Sequence, residues 1–197
     1  MQTQTFIFYG QVGSGKGTQV GLLVDYLKSK DDNEQINIST GALYRELTSS
    51  GVYAGSLVKD AMENGALLPD LLTTSIFMNV LINSLKEKTH LFADGYPRTV
   101  GQSKDFERMM KFFKRENVKI IYIELSEAEA MKRNLLRGRV DDTEEGLRMR
   151  FNEYKNNVIP SMNYFKDKDG YEIFTINGEQ SIEDVHKDII NKLGFSV

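Results

Sequence analysis

Cysteine is absent from the 197 residues, which excludes disulfides, thiolate zinc sites and cysteine nucleophiles and suits a reducing compartment. Proline is scarce, with three residues in all, and no Pro-rich linker, low-complexity tract or internal repeat divides the chain. No apolar run approaches the ~18 residues that a membrane-spanning helix needs, and residues 1–9 show no basic stretch ahead of an apolar one. A cytoplasmic protein without a membrane partner is the expectation. There is no basic tail either: 25 Lys and Arg against 28 Asp and Glu leave a net charge of −3, so a surface that tracks nucleic-acid phosphates is not implied. Small anions remain possible ligands if positive charge gathers in one cleft. What is present is ordinary for a globular protein, 40% hydrophobic and 27% charged. The length fits one domain, 1–197, with room for a small insert. A monomer is preferred over a homo-oligomer.

Short apolar, β-branched or aromatic runs stand at Phe6–Tyr9, Ile36–Ile38, Leu91–Ala93, Ile120–Leu125 and Ile173–Ile176. Longer stretches with helical spacing separate them, the pattern of βαβ units on a parallel sheet. Ser126 with Glu129, and Ser181 with Asp184, read as capping boxes at helix starts. The first two runs lie about 30 residues apart and the second and third about 50, more than one crossover helix requires. Residues 39–68 therefore read as a small helical insert, punctuated by Gly51, Gly55 and Gly65. Gly10, Ser39 and Asp94 fall at the carboxyl ends of the first three strands, where open α/β sheets gather their ligands.

The sequence Gly10-Gln11-Val12-Gly13-Ser14-Gly15-Lys16-Gly17-Thr18 lies between a strand and a helix. Its glycines let backbone N–H groups turn toward a phosphate chain, the helix N-terminus adds partial positive charge, and Lys16 supplies a full one. A strict phosphate loop carries Ser or Thr directly after the lysine. Here Gly17 takes that position and Thr18 follows, which favours water-mediated Mg²⁺ near Asp94 over direct hydroxyl coordination.

In that form the loop resembles the phosphate loop of adenylate kinases and their nucleoside monophosphate kinase relatives, and further blocks of the chain appear in the family's order. The resemblance implies an α/β P-loop NTPase-type three-layer fold, a five-stranded parallel sheet flanked by helices, with a small helical NMP-binding insert. It implies reversible phosphoryl transfer, ATP + AMP = 2 ADP, with Mg²⁺ and no structural zinc. ATP contacts would come from Gly13, Ser14, Gly15, Lys16, Gly17 and Thr18. The block Ser39-Thr40-Gly41-Ala42-Leu43-Tyr44-Arg45 resembles the family's monophosphate site, with Arg45 on the AMP phosphate, Thr40 beside the base, and Ala42 where Asp is usual. Alone, that block reads as an N-cap opening a helix. Ala66, Leu67 and Leu68, ahead of Pro69 and an N-capping Asp70, resemble the loop lining the AMP ribose and base. Asp94-Gly95-Tyr96-Pro97-Arg98 with Gln102 resembles a third block. There Asp94 would hold hydrated Mg²⁺, Arg98 would grip a phosphate, and Gln102 would present its amide edge to adenine. A structural Asp94–Arg98 ion pair is the plainer alternative.

Arg133, Arg137, Arg139 and Arg150 resemble the arginine block around the family's LID. Arg133 and Arg137 are four apart, on one helix face. Six of the nine arginines, these four with Arg45 and Arg98, fall on motif positions, as a reaction that crowds two polyphosphates requires. Lys16, Arg98, Arg137, Arg139 and Arg150 are the catalytic candidates. Only Gly138 separates Arg137 from Arg139, which leaves a minimal LID at 133–142 and a core of 1–38, 69–132 and 143–197. Two readings stand for Asp141 and Asp142: a role with Mg²⁺ water or Arg139, or, for Asp142, a capping box with Glu145. Gln180 corresponds to a backbone contact with the ATP adenine, or to a plain strand–helix turn. His90 and His186 match no motif. Thr40 and Gln102 favour AMP over the UMP or CMP of the nearest relatives. A non-catalytic nucleotide-binding protein would have lost the lysine or an arginine, and none is lost.

Overall fold

The computed structural model describes residues 2–63, 68–138 and 142–195. The strands are β1 (Thr5–Tyr9), β2 (Glu34–Ser39), β3 (Thr89–Asp94), β4 (Val118–Glu124) and β5 (Tyr171–Asn177). They form one parallel five-stranded sheet in the order β2-β3-β1-β4-β5. Each of the five apolar runs falls on one of these strands, and β1, in the centre, is buried along its whole length, as a strand covered on both faces must be. Alternate residues serve the two faces. Ile7 and Tyr9 pack with Phe77, Tyr96, Phe106 and Phe165 on one side, while Phe6 and Phe8 pack with Leu23, Ile121, Val185 and Ile189 on the other.

The helices on these faces are α1 (Lys16–Lys28), α2 (Thr40–Ser49), α3 (Tyr53–Glu63), α4 (Asp70–Ser84), α5 (Val100–Phe112), α6 (Glu127–Arg137), α7 (Glu144–Glu153), α8 (Ile159–Asn163) and α9 (Ile182–Lys192). A wide π-helical turn, Tyr154–Val158, joins α7 to α8. Pro160, which cannot donate a backbone hydrogen bond, is the second residue of α8, and such widened turns frequently mark functional sites. No helix among the described residues is long and apolar enough to cross a membrane.

Local chemistry sets the helix starts. The side chains of Ser126, Thr143 and Ser181 accept from Glu129 N, Gly146 N and Asp184 N, each worth about 1 kcal/mol. The Ser126 box forms by half: Glu129 turns to Arg133, and the free Ser126 N–H is taken by Glu179 Oε1 at 2.8 Å. Two further expectations are corrected. Asp142 does not cap α7, because Thr143 does and the Asp142 carboxylate is engaged elsewhere. Asp70 is the first residue of α4, with Pro69 at the cap position. Gly55 is also no breaker. It lies inside α3, where a Cβ would stand 2.3 Å from Leu47 O, so it lets α3 close on α2. These two helices, between β2 and α4, share a small core of Tyr44, Val58 and Leu68.

Strand order reverses at β1: the chain builds β2 and β3 on one side of it and β4 and β5 on the other. The crevice beyond β1 is therefore where a ligand site is expected. Gly10 opens the loop at that point.

Candidate active site

A cleft of about 720 Å³ lies over the carboxyl ends of β1 and β3. Its floor is the phosphate loop, with Gly13, Gly15, Lys16, Gly17 and Thr18 among its lining residues. One wall carries Arg45, Leu68, Asp94, Gly95, Pro97, Arg98 and Gln102, and the other Arg133, Arg137 and Arg150. Five arginines and one lysine thus meet in a single concavity, with Asp94 and Glu153 the acidic residues among its lining.

Lys16 Nζ donates to Gly10 O at 2.6 Å and Gln11 O at 3.0 Å, inside the loop it belongs to. Burial pushes its pKa down to about 8; Asp94 opposes that shift, and Arg98 and Arg137 add to it. Low dielectric and neighbouring cations both disfavour a further positive charge, so an anion placed here meets a site short of negative charge. Gly13 (φ +84°) packs closely against the opposite wall, where a Cβ would stand 2.3 Å from Asn134 Nδ2. Asn134 is fully buried and donates to Ala130 O at 2.6 Å, and among the described residues its Oδ1 has no partner.

Asp142 organises the arginine wall. It is 7% exposed and accepts from Arg137 Nε at 3.0 Å, Arg137 Nη2 at 2.8 Å and Arg150 Nη1 at 3.3 Å. One carboxylate holds guanidinium groups from α6 and α7 side by side, facing the loop. Arg133 is steadied along α6 by Glu129 at 2.8 Å. Across the cleft, Arg98 Nε donates to Gly95 O at 2.8 Å and Thr40 Oγ1 donates to the same carbonyl at 2.8 Å. Ser39 Oγ stands 3.4 Å from Asp94 Oδ2, and among the described residues Asp94 and Arg98 form no ion pair.

The family model for adenylate kinase matches residues 8–170, which takes in the end of β1, the loop, both walls and the whole of β2, β3 and β4. The chain belongs to the adenylate kinase family. It is accordingly a phosphotransferase, a nucleoside monophosphate kinase, and the family's reaction is ATP + AMP = 2 ADP. An adenylate kinase of Prochlorococcus marinus strain MIT 9301 is 33% identical over 187 residues, 95% of this chain and 97% of that protein. One from Corynebacterium diphtheriae is 33% identical over 188 residues, 95% of this chain and 98% of that protein. A uridylate kinase of Saccharomyces cerevisiae is also similar, 31% identical over 194 residues, 95% of this chain and 89% of that protein.

Not every expected residue faces this adenylate kinase cleft. Ser14 is buried under the loop, Thr40 beneath Gly95, and Tyr96 in the core, stacked on Phe77 at 4.3 Å; these three act as framework. Gln180 lies apart, its Nε2 donating to Asn177 O and Asp188 Oδ2. Ala66, Leu67, Arg139 and Asp141 lie outside the described residues. Sequence reasoning missed Asn134, whose signal was its spacing of four from buried Ala130 on α6. It also missed Glu153, the last residue of α7, and Tyr154 and Val158 of the π-helical turn, all of which line the cleft.

Proposed function

We propose that the donor ATP lies along the phosphate loop and α6, and the acceptor AMP against Arg45, Leu68, Arg98 and Gln102, so that their phosphates meet between Lys16 and the Arg137–Arg150 pair. Convergence of these cations over one sheet edge is the observation that carries the reading. An AMP phosphate oxygen attacks the γ-phosphorus, the bond from that phosphorus to the β,γ-bridging oxygen breaks, and two ADP result. The nucleophile is already an anionic oxygen, so the chain contributes position and charge neutralisation with no covalent enzyme intermediate. Lys16 exchanges its loop carbonyls for phosphate oxygens, Arg137 and Arg150 take the transferred group, and Arg45 and Arg98 hold the acceptor phosphate. Arg139 and Gln180 are assigned to the donor and transfer regions by family resemblance, and Ala66 and Leu67 to the AMP ribose and base.

Mg²⁺ is the cofactor this reading implies. Among the described residues no cluster of three His, Cys, Asp or Glu could cage a metal. Asp94, alone at the end of β3, fits a hydrated ion carried in on the nucleotide and held through its waters. When bound, it would neutralise charge on the donor phosphates; Asp141 is a weaker candidate for the same ion.

Residues 39–68 are proposed to close over AMP as an insert on a core of 1–38, 69–132 and 143–197, while the short 133–142 LID contributes little shielding. Backbone relaxation by NMR should show 39–68 losing mobility when nucleotide binds. Equal rigidity with and without nucleotide would sink this. The protein is proposed to work in the cytoplasm as a monomer, in keeping with its lack of cysteine.

The yeast uridylate kinase relative makes a UMP or CMP acceptor the second reading. A coupled assay with AMP, CMP and UMP should give the fastest turnover with AMP, and a faster rate with CMP would overturn the choice.

A further inference from the structure

A glutamine amide carries a carbonyl and an amino group on one planar fork, and half a turn about its last bond exchanges them with little change in shape. What such a side chain recognises is defined only when its orientation is fixed. Gln102 is 2% exposed and lines the acceptor side of the cleft. Its Oε1 accepts from Arg98 N at 2.8 Å, and its Nε2 donates to Asp70 Oδ1 at 2.9 Å. A backbone N–H only donates and a carboxylate only accepts, so both neighbours impose the same orientation. Asp70 is itself held, since Thr99 Oγ1 donates to its Oδ2 at 2.6 Å. Gly101 leaves the room this needs, because a Cβ there would stand 2.8 Å from the same oxygen. The lock therefore joins the first turns of α4 and α5, and neither half shows it alone.

We propose that Asp70 is a positioning residue that sets acceptor-base choice by locking the Gln102 amide in one orientation. With one N–H and one lone pair already committed, one of each remains in a fixed order. Adenine and cytosine offer an amino donor beside a ring-nitrogen acceptor, whereas uracil offers a carbonyl acceptor beside a ring N–H. A locked amide matches the first pattern and not the second; an amide free to turn accepts both. The inference deepens the adenylate kinase reading and rests on it.

The test assays the full chain at saturating ATP with AMP, CMP and UMP. Asp70→Asn removes the acceptor-only partner while keeping its shape, and should raise the UMP-to-AMP ratio of kcat/KM by about tenfold, the scale of one hydrogen bond to a charged group. The change should come through KM for the acceptor. The CMP-to-AMP ratio and KM for ATP should stay as in the wild type, since CMP has the size of UMP but the pattern of adenine. Gly101→Ala, which crowds the carboxylate and leaves both side chains in place, should act in the same direction and carries the test if Asp70→Asn does not fold. In a Gln102→Ala background Asp70→Asn should no longer alter the ratio. An unchanged UMP-to-AMP ratio, an equal loss for all three acceptors, or an effect that survives in Gln102→Ala would each overturn the lock. A wild type that itself prefers CMP or UMP would overturn the adenylate kinase reading instead, so the two failures are distinct.

Discussion

Replacing Lys16 with alanine should lower kcat by at least 10²–10³-fold, on the order found when one preorganised electrostatic donor is removed, with the fold intact. Its charge sits at the floor of the cleft and stabilises nothing in the core. The stability argument has a definite sign. The Lys16 pKa is about 8 in the folded chain against an ordinary 10.5, so between those values the unfolded chain binds more protons. Lys16 therefore opposes folding below pH 8, and that opposition fades as pH rises toward 10.5. Alanine should leave the melting temperature at neutral pH unchanged or slightly raised. A polyphosphate favours the charged lysine, so ATP binding above pH 8 should take up a proton and weaken as pH rises. Calorimetry in buffers of different ionisation heat, at pH 8.5, reads that uptake directly; it should vanish in Lys16→Ala. Near-normal turnover, or equal proton uptake in the variant, would overturn the role. Arg98→Ala should give a comparable loss of turnover from the acceptor side.

Most of the frame that places Lys16 was legible in the sequence because it is written in local terms. The runs Phe6–Tyr9 and Leu91–Ala93 are apolar at every position, which only a doubly covered strand requires, and Gly10 and Asp94 follow from where those runs stop. Ser126 and Ser181 cap their helices through contacts three residues away, within reach of a pattern. The rest depends on partners distant in sequence. Asp142 and Thr143 are both competent caps, and no local rule chooses between them. The choice falls to Thr143 because the Asp142 carboxylate lies between guanidiniums from two helices, where its charge has greater use. Asp70 likewise reads as a cap from its neighbours, yet its partners are Thr99, the N-cap of α5, and Gln102 in its first turn. Tyr154 and Val158 line the cleft from a π-helical turn, a distortion that helical periodicity does not report. Gly55 shows the converse error. A glycine suggests a break by its local rule, whereas here its missing side chain serves helix packing.

The neighbours Asp142 and Thr143 separate a loss of rate from a loss of stability alone. Asp142→Asn keeps the size of the side chain and one carbonyl acceptor but removes the charge shared by Arg137 and Arg150. Two like-charged forks then face each other at the point where the transferred group must pass, and each is free to drift. A displacement of about 1 Å in such a site costs roughly 10²-fold in rate, so kcat should fall by about that factor, with KM for ATP changing much less. The stability cost should be about 1–3 kcal/mol, because the Asp142 side chain is fully buried while the Arg137 and Arg150 side chains, 32% and 19% exposed, keep contact with water. Thr143→Ala removes the bond from Gly146 N to Thr143 Oγ1 and should leave kcat nearly unchanged while lowering stability by about 1 kcal/mol. Coupled-assay kinetics beside urea unfolding of the two variants measures both axes. The argument fails if Asp142→Asn keeps wild-type kcat, or if Thr143→Ala loses as much rate as Asp142→Asn. In either case the paired arginines would owe their place to the helices that carry them and not to the carboxylate between them.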